Sequence, residues 1–311
     1  MKSKVSTFNT FPEFSKLRLE DKDSYEAYIK DYPPIYDISF PGLMSWWNPL
    51  GNMAISELNG NLVIPYWLPG DEENAGLSLI GTHKIDESIC AIFDHLREKG
   101  EPVRLINVPE FVLSYIRYHD MYNLVEQEGL KDYLMPFSHF YPLKNMAPHW
   151  RSRVERFINN THADDVTCRC LDLKNPTDKS LILTKAKIWR PKNKINDFGQ
   201  IEGDAIEHII SESEALNIDN LCLFVNNELW GFCLYEVSAN RKYVIMKHIK
   251  ATNKNTCGFE LLAYFFSKRL TDQGFTYANL GADYDIQALR MFMLTIGADK
   301  FFRKYKIEPR Q

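Results

Sequence analysis

Apolar and polar positions change period along this chain, and the changes mark its elements. Residues 53–58 and 62–67 are apolar stretches joined by Asn59-Gly60, a dipeptide suited to the left-handed backbone of a tight hairpin turn. Residues 69–74, Pro-Gly-Asp-Glu-Glu-Asn, then read as a loop, with a short strand at 77–80. Between 85 and 99 the period lengthens, and Ile85, Ile89, Ile92, Phe93 and Leu96 fall on one face of a helix that Gly100 ends. A strand at 103–108 and a helix at 109–118 complete the run.

The same succession returns after residue 220. Strands at 221–225 and 229–237 flank Asn226-Asn227-Glu228, and a third strand follows at 243–250. A helix at 258–272 stops before Gly274, then come a strand at 276–280, a helix at 285–296 and a strand at 300–307. Both halves therefore run hairpin, strand, helix, glycine, strand, helix, with Gly100 and Gly274 in matching places, which predicts a tandem duplication of one α/β unit. Residues 170–215 read as two helices with a polar link around 191–197, placed ahead of the second hairpin. An acetyltransferase domain has this order, β, α, α, β, β, β, α, β, α, β. The junction is expected near 135–150, giving domains 1–145 and 146–311.

Composition supports packing throughout. At 311 residues the chain fits two domains, and 45% hydrophobic against 25% charged residues places it far from the disordered class. No apolar run approaches the ~20 residues of a spanning helix, and Met1-Lys-Ser-Lys-Val leads into polar sequence, so a cytoplasmic protein without a membrane span is expected. Six cysteines without a C-x-x-C pair and eight histidines without H-E-x-x-H spacing give no expectation of a metal. The chain also lacks G-x-x-x-x-G-K-[ST], G-x-G-x-x-G and G-x-S-x-G, which excludes P-loop, dinucleotide-binding and α/β-hydrolase readings. Charge is uneven: residues 1–150 hold 13 Lys and Arg against 21 Asp and Glu, and residues 151–311 hold 24 against 20. The basic surplus of the second half suits an anionic ligand but is small for a dedicated nucleic-acid binder, and DNA is not expected as a partner.

In a mixed sheet of this order a ligand is expected where neighbouring strands splay beside the start of a helix. In the second unit that is the stretch 251–258, where free N–H groups and Lys254 would hold a phosphate; the plain alternative is a loop whose Asn and Thr residues cap the helix. Asp283 follows directly on the strand at 276–280, placed to act as a general base or to orient an amine, while Asp285 also reads as an N-cap. The tail around Arg303, Lys304, Tyr305 and Lys306 is either an edge strand with a solvated basic face or a phosphate contact with a tyrosine hydroxyl for proton transfer. Arg151, Arg153 and Arg156 form a basic cluster on a helix, a solvated face or a second anion-binding surface.

With these residues in view, the chain resembles a bacterial family related to the C-terminal domain of phosphatidylglycerol lysyltransferase, a tandem-GNAT (acyl-CoA N-acyltransferase-like) family. The likeness is carried by Leu17-Arg-Leu-Glu-Asp-Lys-Asp with Ile38-Ser-Phe-Pro-Gly-Leu-Met-Ser-Trp46, and by Asp132-Tyr-Leu-Met with Arg151-Ser-Arg-Val-Glu-Arg-Phe157. It is completed by Asn279-Leu-Gly-Ala-Asp283-Tyr-Asp-Ile-Gln-Ala-Leu-Arg290 and the closing Arg303-Lys-Tyr305. Gly281-Ala282 replace an acidic pair of the family pattern, Asp285 and Ala288 replace glycines, and Met293 stands in the region of a lysine. The resemblance implies two GNAT-like domains and an acyl or aminoacyl donor bound in the C-terminal one, carried by CoA or by tRNA as co-substrate. Asn279, Asp283, Arg290, Lys304 and Tyr305 would line its cleft, with Asp283 as base and Tyr305 protonating the leaving group. The expected function is transfer of that group to an amine or hydroxyl acceptor. The altered positions motivate an alternative, a binding protein that keeps the duplicated fold without the chemistry.

Overall fold

The turns form where the dipeptides demand. Asn59 and Gly60 hold φ of 55° and 81°, and Asn226 and Asn227 hold 50° and 64°, the left-handed pairs that close two-residue hairpins. Gly100 caps one long helix at φ 68° and Gly274 follows another at 89°.

The computed structural model describes residues 8–47, 53–68, 71–160, 165–188, 197–252 and 257–310. The first half contributes β1 (Ser15–Lys16), α1 (Lys22–Ile29), α2 (Phe40–Gly42), β2 (Ala54–Leu58), β3 (Asn61–Leu68), β4 (Asp71–Ile80), α3 (Ile85–Lys99), β5 (Leu105–Pro109), α4 (Glu110–Leu113), β6 (Tyr122–Glu126) and β7 (Asp132–Pro136). After α5 (Pro148–Asn160) come β8 (Val166–Arg169), α6 (Pro176–Ile188), α7 (Asp197–Ser211), α8 (Ser213–Leu216), β9 (Asp219–Val225), β10 (Glu228–Val237) and β11 (Val244–Ala251). The chain closes with α9 (Gly258–Asp272), β12 (Tyr277–Asn279), α10 (Gln287–Thr295), β13 (Lys300–Phe302) and β14 (Lys304–Pro309).

Three expectations change. Residues 71–74, expected in a loop, extend β4; the helix expected at 109–118 is only the single turn α4; and the strand expected at 300–307 divides at Arg303 into β13 and β14.

The two halves build matching mixed sheets of seven strands. The first runs β1-β2-β3-β4-β5-β14-β6 and the second β8-β9-β10-β11-β12-β7-β13, so the duplication read from the sequence holds strand by strand. The sixth place in each sheet is filled from the other half: β14 lies between β5 and β6, and β7 between β12 and β13. Each sheet has one parallel pair, β4 with β5 and β11 with β12, and every other neighbour is antiparallel.

Helix α3 buries its predicted face, Ile85, Ile89, Ile92, Phe93 and Leu96, with Val63 and Leu79 of the first sheet. Helix α9 does the same with Leu261, Leu262, Phe266 and Leu270 against the second. A third core joins the sheets: Ile55, Leu62 and Ile64 from the first, Cys222, Phe232 and Leu234 from the second, and Ile206, Ile209 and Ile210 of α7. Burial of this many apolar side chains, at roughly 1.5–3 kcal/mol each, makes the two sheets a single packed body.

Candidate functional site

The parallel pair β11 and β12 is short. Val244 pairs with Ala278 and Ile245 with Asn279, after which the strands part. A cavity of about 510 Å³ opens at this splay, at the carboxyl ends of both strands, where open α/β sheets bind ligands. One wall comes from α9 and α10, with Phe259, Ala263, Phe266, Leu289, Phe292 and Met293; the other carries Glu202, His248 and Lys250. In the first sheet the equivalent strands share a single pair, Leu77 with Leu105, beyond which Ser78 Oγ donates to the Asn107 carbonyl at 2.9 Å and bridges them.

Local register aims the polar wall. Leu234 pairs with His248 and Tyr235 with Met246, so Lys247 is an extra residue in β11, a bulge that puts His248 on the face of Leu234. The Lys247 ammonium turns to Glu236 at 2.7 Å and to the Ser39 hydroxyl. Glu202 lies four residues before Ile206 and seven before Ile209, on the inward stripe of α7. Its carboxylate is 2.7 Å from the Lys250 ammonium and 3.7 Å from His248 Nδ1.

His248 is 3% exposed and packs against the Trp46 ring at 5.6 Å between centroids. Among the described residues its Nε2 has no hydrogen-bond partner. Burial holds the imidazole below its ordinary value despite the opposing pull of Glu202, so the ring is neutral near pH 7. Burial alone would raise the Glu202 carboxyl, but the neighbouring His248 and the charge of Lys250 outweigh it and bring the group to about 2. A neutral imidazole with one free nitrogen, beside a fixed carboxylate, can accept a proton from a bound nucleophile.

The described residues expected from the sequence gather in separate places, none among those lining this cavity. Lys304 and Asn279 meet in a buried network: the Lys304 ammonium bonds both Asp37 and Asp132, the latter at 2.6 Å, and the Asn279 amide donates to Asp132 and to the Pro34 carbonyl, each at 2.8 Å. Tyr284 donates to Asp37 at 3.0 Å. Burial opposes the charge on Lys304, and the two carboxylates more than restore it, leaving its pKa raised. Asp283 and Arg290 also come together. Arg290 forks onto both carboxylate oxygens at 2.6 and 2.8 Å, Tyr133 donates at 2.6 Å, and the Asp285 N–H donates at 2.8 Å. Burial pushes the Asp283 carboxyl up, but these donors hold it below its ordinary value. Asp285 accepts from Arg290 at 2.7 Å and does not cap α10, whose N-cap is Ile286.

Arg153 and Arg156 reach the start of α9. Arg153 pairs with Glu260 at 2.7 Å, and both arginines draw the Cys257 thiol down, although burial and Glu260 leave it raised to about 11. Arg151 instead donates to the Lys144 carbonyl at 3.0 Å. Tyr305 stands apart in the first sheet, where burial and the acidic Glu126 and Glu110 raise its phenol. Lys254 lies outside the described residues.

Neither His248 nor Glu202 was legible as a site. The run Lys247-His248-Ile249-Lys250 looks like a half-solvated strand, and only the fold brings Glu202 to it. Among the described residues no group of His, Cys, Asp and Glu could hold a metal ion, and no helix is long and apolar enough to cross a membrane.

Two matched mixed sheets with exchanged strands, and a cavity where one parallel pair splays, form a duplicated mixed α/β fold, the α/β class and tandem arrangement expected from the sequence. No family model matches the sequence, and no curated protein matches it either. Solved structures do match. A conserved protein of unknown function from Bacteroides thetaiotaomicron superposes with a TM-score of 0.78 at 19% identity, over 96% of this chain and 99% of that one. The C-terminal (DUF2156) domain of a putative lysylphosphatidylglycerol synthetase from Agrobacterium fabrum gives 0.62 at 12% identity, over 94% and 93%. The L-PGS structure from Bacillus licheniformis gives 0.60 at 12%, over 98% and 94%. The resemblance to the lysyltransferase C-terminal domain thus extends along nearly the whole chain, and at these identities it is a likeness of fold.

Proposed function

We propose that this chain is a transferase that moves an activated acyl or aminoacyl group from a carrier to an amine or hydroxyl acceptor, with the reacting carbonyl in the cavity between β11 and β12. The observation that carries the reading is the free, buried Nε2 of neutral His248, a residue that lines that cavity. Glu202 beside Nδ1 favours the tautomer with hydrogen on that nitrogen, which leaves the Nε2 lone pair for the acceptor's proton. Proton removal makes the acceptor nucleophilic; its lone pair attacks the carbonyl carbon, and the bond to the carrier breaks with the proton available from the imidazolium. Arg153 and Arg156, at the start of α9, are assigned to the carrier's phosphates together with Lys254.

In this proposal Asp283 positions rather than titrates, because its carboxylate is committed to Arg290, Tyr133 and the Asp285 N–H. Tyr305 is given no chemical step, since it lies in the other sheet beside Glu126. The test is a thermal-shift and transfer screen of acyl-CoAs and aminoacyl-tRNAs, repeated with His248→Asn. A CoA donor stabilises the protein at sub-millimolar concentration, whereas a tRNA donor binds with steep salt dependence. Transfer from either that survives His248→Asn unchanged removes the proposed base. Failure of every carrier to bind, with a stable protein partner recovered instead, favours the non-catalytic alternative.

A further inference from the structure

We infer that the group transferred is hydrophobic, a medium- or long-chain acyl group, and not an acetyl or a charged aminoacyl group; this rests on the transferase reading above. The cavity is two-faced. Glu202, His248 and Lys250 hold one side, where the reacting carbonyl and acceptor would meet. The opposite side is built by Phe259, Ala263, Phe266, Leu289, Phe292 and Met293, a wall of hydrocarbon and thioether far larger than a methyl group can cover. A volume of about 510 Å³ is that of a site for a sizeable organic group, and an acetyl would leave most of it filled with water against apolar surface.

Phe292 of this wall is 38% exposed, so the apolar side of the cavity reaches the surface at α10. Charge argues against a cationic aminoacyl group. Among the described residues the one carboxylate on the cavity wall, that of Glu202, is already paired with Lys250 at 2.7 Å. An ammonium entering beside Lys250 would meet like charge and, among the described lining residues, no free acid.

The experiment uses the full chain and a series of N-acetylcysteamine thioesters with acyl groups of two, six, ten and fourteen carbons, together with lysyl and alanyl thioesters. These carriers lack phosphates, so the readout isolates the acyl end. Binding by calorimetry is expected to tighten about fourfold per methylene over the first part of the series, the increment of burying one CH2. Ala263→Phe, which fills the apolar side, is expected to lower the ratio of decanoyl to acetyl affinity at least tenfold. Leu289→Trp, on the half-buried face of α10, provides the same reading should the α9 variant fail to fold. Equal affinity for acetyl and decanoyl thioesters, a preference for the lysyl thioester, or an unchanged ratio in a folded cavity variant overturns the inference. The two readings separate cleanly. Turnover of CoA or tRNA donors without chain-length preference sinks the hydrophobic assignment and leaves the transferase, whereas chain-length-dependent binding of free fatty acid with no transfer from any carrier sinks the transferase.

Discussion

His248 is distinguished by what surrounds it, the cavity that it lines, the Trp46 ring and Glu202 at 3.7 Å from Nδ1. As a base its loss by His248→Asn is expected to lower turnover by about 10²- to 10⁴-fold while leaving the melting transition in place, measured as kcat beside a thermal scan. The pH sign comes from the lowered imidazole pKa. Folded His248 is neutral, and the unfolded chain takes up a proton below about pH 6.5, so stability contributed by the neutral form is complete above that pH and is lost as pH falls below it. The acid limb of activity lies below the ordinary histidine value for the same reason. Glu202→Gln removes the group that pulls the pKa up, and is expected to move that limb to still lower pH with a smaller kcat. A limb that moves upward, or stays fixed, would mean that Glu202 does not face the working base. At Lys304 the outcome is structural. Lys304→Met leaves Asp37 and Asp132 buried without their cation, which is expected to destabilise the fold by about 3–5 kcal/mol in urea titrations. None of this was visible in the sequence, where Lys304 sits among Arg303, Tyr305 and Lys306 as one more charge on an alternating strand; only burial separates it from its neighbours.

Elements were the most legible scale. The spacing of Ile85, Ile89, Ile92, Phe93 and Leu96 gave α3 its full length, because an apolar stripe at helical period has few other uses, and the Asn-Gly and Asn-Asn pairs placed both hairpins. The tail misled because the pattern at 300–307 is continuous as a strand, and nothing local tells that Phe302 belongs to one sheet and Lys304 to the other. Residues 71–74 misled in the opposite sense, since acidic residues can occupy a strand that pairs through its backbone. The turn directly after β12 follows Leu280 of the cavity lining. Gly281 has φ 80°, and a Cβ there would stand 3.0 Å from the Tyr36 ring, whose hydroxyl donates to the Lys247 carbonyl at 3.1 Å. Gly100 has φ 68° with open space around it. Both alanine variants bear the left-handed strain of roughly 1–2 kcal/mol, and Gly281→Ala is expected to exceed Gly100→Ala because the ring must also move. Paired denaturation curves decide it; equal losses would mean that Tyr36 yields freely.

At the scale of the molecule the two sheets are tied by reciprocal exchange. A boundary at 145/146, as proposed from the repeat, would leave β7 in the first piece without β12 and β13, and β14 in the second without β5 and β6. The bonds at the crossing are also fully buried. Lys304 of β14 joins Asp132 of β7, and Asn279 of β12 holds the same carboxylate, so each exchanged strand brings a partner for the other's charge. Expressed alone, residues 1–145 and 146–311 are each expected to lack a cooperative thermal transition, because each would hold an open row of backbone donors and acceptors, with Asp37 and Asp132 uncompensated in the first piece and Lys304 in the second. Expressed together, the two pieces are expected to recover one transition at a single temperature, and Lys304→Met in the second piece to weaken that recovery. Two separate transitions in the intact chain, or a cooperative melt of either piece on its own, would show that exchange is an ornament on independent domains. A single transition would mean that the cavity between β11 and β12 is held open by a sheet whose sixth strand comes from the far half of the chain, so that a change in the first unit reaches the chemistry of the second through β7.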